Sequence, residues 1–159
     1  MIKKFVTAVA LTLVALAPAS AHHANDNAAT KSGLKVSHAW TVANSSMAHA
    51  VEVYATLWNE GETADKLVDV HVPFAADAVL QTQEVAEDGT LKVREVKQVA
   101  LEPDQAITMH PQGLHLVFND VQRVLHPGDT FHAHFEFAKA GELEVEVHVM
   151  APDEAEEMM

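Results

Sequence analysis

Ala50-Val-Glu-Val-Tyr-Ala-Thr-Leu-Trp-Asn-Glu-Gly61 (AVEVYATLWNEG, residues 50–61) is the stretch that decides the fold. Residues 50–58 are rich in Val, Thr, Tyr and Trp, as a strand is, and Asn59-Glu60-Gly61 ends it. Tyr54 and Trp58 are expected in the core rather than on a substrate platform. Short strands continue on both sides. Before it, Leu34, Val36, His38 and Trp40 fall on one face, with His38 a hydrogen-bonded core or rim residue. After it come residues 66–72, stopped by Pro73, and a hairpin of residues 79–85 and 91–96 around Asp88-Gly89. Residues 106–109 and 114–118 flank Pro111-Gln112-Gly113, and residues 131–137 and 143–150 form a last hairpin around Ala140-Gly141. Ala76-Asp77-Ala78 reads as a brief helical or loop link, and residues 151–159 as an acidic, frayed tail. Many short strands with turn signals between them predict a single all-β sandwich or barrel over residues 34–150.

The chain opens differently. Lys3 and Lys4 precede an apolar run, residues 5–17, too short to span a bilayer comfortably. Pro18 and Ala19-Ser20-Ala21 follow, so residues 1–21 read as a secretory signal peptide with a small-residue cleavage site. The sequence holds no cysteine, so neither a lipid-anchored version of this leader nor disulfide or thiolate chemistry is expected. Removal of the leader takes away two positive charges and turns a formal charge of −13 into −15. That acidity argues against nucleic acid as a partner, and no other apolar run suggests membrane insertion after cleavage. The donors that remain for a soft or borderline ion are eleven His and six Met.

Several blocks, in order, resemble the periplasmic copper chaperones of the PCuAC type. They are Ala39-Trp40, Tyr54-Ala-Thr-Leu-Trp-Asn59-Glu-Gly61, Asp65-Lys-Leu67-Val68, Val93-Arg94-Glu95-Val96, His110-Pro-Gln-Gly-Leu-His115-Leu-Val117 and Leu125-His-Pro-Gly128-Asp129. The resemblance implies a cupredoxin-like β-barrel and a copper cargo. The family's ligand motif is a His, ten residues, a Met, twenty-one residues, then His-x-Met. Its four positions fall on Thr82, Val93, His115 and Val117. Only His115 retains a good donor, so the family's His2Met2 site for Cu(I) is not expected here. Loss of thioethers and retention of imidazoles shift the preference toward Cu(II).

Cleavage after Ala21 would make His22 the first residue of an arm, residues 22–33, expected to be flexible. An N-terminal histidine offers its α-amine and its ring Nδ1 to one ion; a second imidazole from the barrel completes a histidine brace. The amine, with an ordinary pKa of about 8, yields its proton to a bound cupric ion. His115 is the favoured partner, followed by Met47 and His49 in their loop and by His110; His23 is an alternative N-terminal ligand. His132 and His134 share a strand face, and His148 is expected opposite one of them, as a weak secondary site for Cu(II) or zinc. His71 and His126 are expected on the surface.

No G-x-S-x-G, H-E-x-x-H, phosphate loop or EF-hand loop is present, so no enzyme is expected. The predicted function is a periplasmic copper-binding chaperone, with the copper ion and a copper-requiring recipient enzyme as its partners. Two alternatives stand beside it: a paralogue without metal that helps assemble a copper enzyme, and a copper monooxygenase.

Overall fold

The computed structural model describes residues 27–47 and 49–158. The expected leader and the candidate ligands His22 and His23 lie outside these. The strands are β1 Ala29–Lys31, β2 Leu34–Val42, β3 Ala50–Asn59, β4 Asp65–His71, β5 Asp77–Val85, β6 Leu91–Val96, β7 Val99–Leu101, β8 Ala106–Thr108, β9 His115–Asn119, β10 Thr130–Phe137 and β11 Gly141–Met150. A helix, α1 Pro152–Met158, follows. The strands form one sheet in the order β6-β5-β9-β3-β2-β11-β10-β4-β7, with β1 added to β2 and β8 to β3. Among the described residues only the β2–β11 pairing is parallel. Among the described residues no helix is long and apolar enough to cross a membrane.

Alternation puts one face of β3, β10 and β11 into a shared core. Val51, Val53, Ala55 and Leu57 of β3 meet Phe131, Ala133, Phe135 and Phe137 of β10 and Leu143, Val145, Val147 and Val149 of β11 in that core. The sheet curls so that its β7 end returns to β3, where Asn59 joins them. The Asn59 amide donates to the carbonyls of Leu101 (3.0 Å) and Thr63 (2.9 Å), and its side-chain oxygen accepts from the Gly61 amide (3.0 Å). This gives the Asn-x-Gly ending of the quoted stretch its physical purpose. Gly61 also sits under Gly33, where any Cβ on Gly33 would come within 2.7 Å of the Gly61 Cα.

Several local expectations change. Residues 22–33 were expected to be a flexible arm, yet Ala29–Lys31 is a strand. Ser32 and Gly33 both have positive φ and turn it tightly onto β2, a pattern that suits a two-residue hairpin. Asp77 and Ala78 begin β5 instead of linking to it, because Asp77 pairs with Asn119 and accepts its side-chain amide at 2.6 Å. Residues 99–101 form a strand that the pattern had not suggested. The acidic tail is helical: Pro152 takes the first helical position, Glu154 accepts from the Ala151 amide at 3.0 Å, and Ala155 is buried. Trp58 is 42 % exposed rather than in the core.

The Asn59 junction predicts a specific loss. Asn59→Ala would take the side-chain donor from the buried Leu101 carbonyl and lower stability by about 1–3 kcal/mol. The check is urea unfolding, in which the midpoint should fall while the slope stays the same.

Candidate metal centre

The outer face of the sheet carries many of the histidines, and one irregularity sets how β2 contributes to it. The β2–β3 register shifts by one residue between Ser37 and Trp40, and His38 there has φ +50. The extra residue is a bulge, and it exchanges the faces of the strand beyond it. Leu34 and Val36 point inward, but Trp40 lies opposite Tyr54 on the outer face, while Thr41 takes the inner one opposite Val53. His38 therefore does not share a face with Val36; it is exposed, with Nδ1 3.2 Å from the Ser37 hydroxyl.

A row of side chains now crosses the outer face. His148 of β11 is level with Trp40 of β2, and Trp40 with Tyr54 of β3. The Trp40 and Tyr54 rings lie 4.5 Å apart, and the Tyr54 and His115 rings 6.4 Å apart. His115 of β9 in turn pairs with Gln81 of β5. Burial first, and a hydrogen bond to the Glu52 carboxylate next, push the Tyr54 phenol far above its ordinary range.

His115 is 2 % exposed. Its Nδ1 lies 2.9 Å from the Gly113 carbonyl, which accepts only, so Nδ1 carries the proton and Nε2 the lone pair. This is how metal-binding imidazoles are commonly oriented. His110 closes the same turn: its amide donates to the Leu114 carbonyl, and its ring lies so close over Gly113 that a Cβ there would be 2.3 Å from Nε2. Both His110 and His115 thus border Gly113, His110 exposed and His115 buried. The other inherited positions add no donor beside them. Val93 pairs with Gln83 and Val117 with Val79, on the His115 face, whereas Thr82 alternates to the other face.

Met47 and His49 are exposed at the start of β3, His49 with Nδ1 3.5 Å from an Asp120 oxygen. They stand roughly 17 Å along the strand from the level of Tyr54 and His115, so the fold does not bring them to the row.

A small cleft of about 150 Å³ opens at the other end of the row. Asn27, His38, Ala39, Trp40, His148, Met150 and Met158 line it. Asn27, the first described residue, is held there by a 2.6 Å bond from its side-chain amide to the Glu146 carbonyl. The sequence reading missed this cleft as a site, because the bulge that turns His38 outward and the parallel β2–β11 pairing are both tertiary.

The expected trio of His132, His134 and His148 needs correction. In the β10–β11 register, His148 pairs with Thr130, His132 with Glu146 and His134 with Glu144. Across the other edge of β10, His134 pairs with His71. His126 is exposed, as expected, with Nδ1 3.5 Å from Asp129. The amide of His126 also donates to the Asp129 carboxylate, which lowers the pKa of that acid.

Comparisons with known proteins agree with this architecture. The LpqE-like lipoprotein family matches residues 34–149. The chain is similar to the apo PCuAC domain from PmoF1 at 30% identity and a TM-score of 0.68, over 79% of this chain and 99% of that one. A copper-bound PCuAC domain from PmoF2 shares the fold at 22% identity and a TM-score of 0.66, over 79% of this chain and 98% of that one. Apo-DR1885 from Deinococcus radiodurans does so at 22% identity and a TM-score of 0.55, over 93% of this chain and 97% of that one. A search of curated proteins gave no match. The fold and site define an all-β PCuAC-type domain. The chain belongs to the LpqE-like family, whose PCuAC members share this sheet.

Tyr54 is the single tyrosine of the chain, which makes its environment measurable. Its near-ultraviolet phenolate absorbance should appear well above the ordinary phenol pKa of about 10, and Glu52→Gln should move it down. Because the folded state holds the proton more tightly, the contribution to stability is intact below about pH 10 and declines as pH rises above it. Ordinary titration in the native protein would refute the buried geometry.

Proposed function

We propose that this protein carries copper in the periplasm as Cu(II), after cleavage following Ala21. In this reading the ion is held by the α-amine and Nδ1 of His22 and by a barrel imidazole, with His148 the favoured partner and His38 beside it. The protein hands the ion to a copper-requiring enzyme and is not itself a catalyst.

The observation that carries the proposal is the anchoring of Asn27 beside His38 and His148. His22 lies five positions before Asn27, a reach of at most about 17 Å, which covers the cleft. The earlier favourite, His115, is less well suited. It is three strand spacings from β11, roughly 14 Å away, and buried. One ion therefore cannot be shared by His148 and His115. Family membership and the copper carried by the PmoF2 domain support the cargo. The loss of both methionine positions in the inherited motif supports the cupric state, since imidazole and amine nitrogens suit Cu(II) and thioethers suit Cu(I).

The test is Cu(II) titration of protein beginning at His22, followed by electron paramagnetic resonance. His22→Ala, or one residue added before His22, should abolish tight binding. His148→Ala should weaken it by roughly tenfold or more and remove one nitrogen coupling. His115→Ala should leave the spectrum unchanged. Tight binding that survives the added residue would exclude the α-amine as a ligand.

A further inference from the structure

We infer that His71, His134 and Glu142 form a second cation site, on the outer face of β4, β10 and β11, that takes a borderline divalent ion such as Zn²⁺. Neither the inherited copper motif nor the N-terminal arm contributes to it. Among the described residues these three form the one group of His, Asp and Glu donors close enough to hold an ion.

The pairing of β4 with β10 sets His71 opposite His134, and their rings stack at 4.9 Å with planes 11° apart. Glu142 approaches diagonally from β11, one step from Glu144, which is the direct partner of His134. Its two carboxylate oxygens are divided between the imidazoles. One lies 3.2 Å from His134 Nδ1 and the other 4.0 Å from His71 Nε2. One donor atom from each residue falls within 4.8 Å of the others. In a tetrahedral zinc site with bonds of about 2.0–2.1 Å, donors stand roughly 3.3 Å apart. The required closure is about 1.5 Å or less, a movement within the reach of partly exposed side chains on a rigid sheet.

The donor set narrows the ion. Two imidazoles and a carboxylate suit zinc or cupric ions. Magnesium and calcium prefer oxygen donors throughout, and Cu(I) prefers sulfur. The surroundings favour a cation: Glu144 pairs with His134, and Asp69 pairs with Glu136 on the same outer face. One positive group is near, since the Lys31 ammonium donates to the Glu142 main-chain carbonyl at 2.8 Å. Three protein ligands leave a coordination position open, so the site is built to exchange its ion with water or an incoming donor rather than to lock it in place. Along β11, Glu142 lies roughly 20 Å from His148, and His134, level with Glu144, roughly 14 Å, far enough for the site to bind independently of the cleft.

The experiment uses the mature chain with one residue added before His22, which blocks the proposed amine site and keeps the two ideas separable. Zn²⁺ titration followed by calorimetry should show one equivalent bound, and the ring resonances of His71 and His134 should shift together in nuclear magnetic resonance spectra. The double variant H71A/H134A should lose that equivalent, and Glu142→Gln should weaken it by about tenfold. All three side chains are at least partly exposed, so these variants should keep the native fold, checked by circular dichroism. Zinc uptake of equal stoichiometry and affinity in H71A/H134A would overturn the proposal. So would a titration in which the His71 and His134 signals do not move.

Discussion

One extra residue in β2 sets which side chains lie between His148 and His115 on the outer face of this domain. Because side chains alternate with a period of two, inserting a single residue at the Ser37–Trp40 bulge exchanges inside for outside over the rest of the strand. Thr41 enters the core and bonds the Glu52 carbonyl at 2.7 Å, which satisfies its buried hydroxyl. Trp40 moves to the outer face and meets Tyr54, and His38 swings into the cleft beside His148. Without the bulge, Trp40 would point inward with Val36, and the aromatic pair would not lie between His148 and His115.

The same geometry keeps His115 and His148 apart. His115, at one end of the row, is buried and oriented by the Gly113 carbonyl; His148, at the other, borders open space. Trp40 and Tyr54 fill the interval with apolar surface and a phenol held neutral by burial and by Glu52. A domain without methionine at the positions that the family resemblance implies still offers imidazoles at separate places on one sheet. The β4–β10–β11 cluster is a third such place, at the opposite end of β11 from the cleft. An acidic chain favours cations at each of these places, because the summed field of its surface raises their local concentration.

Much of the architecture was legible in the chain. The alternation in β10 correctly put His132 and His134 on one strand face, opposite the buried Phe131, Ala133, Phe135 and Phe137. Asp88-Gly89 correctly marked a hairpin, in which Gly89 supplies the positive φ and Asp88 accepts from Thr90. Asn59-Glu60-Gly61 correctly marked the end of β3, whose last residue is Asn59. All of these are local signals, carried by residues within one strand or one turn.

What the chain alone left open depends on contacts between distant segments. His71 looked like an isolated surface residue, and only the β4–β10 register sets it against His134. His148 was expected opposite His132 or His134, but the true register lies two residues away, at Thr130. Register between strands is selected by how whole faces fit into the core, not by the residues that end up paired on the outer side. The bulge at His38 is equally invisible in the pattern, since alternation reads the same until a neighbouring strand shows where it slips. The local code thus specified the strands and most of their buried faces. Pairing across the sheet decided which histidines share a site, because imidazoles on separate strands meet only when the packed core aligns them.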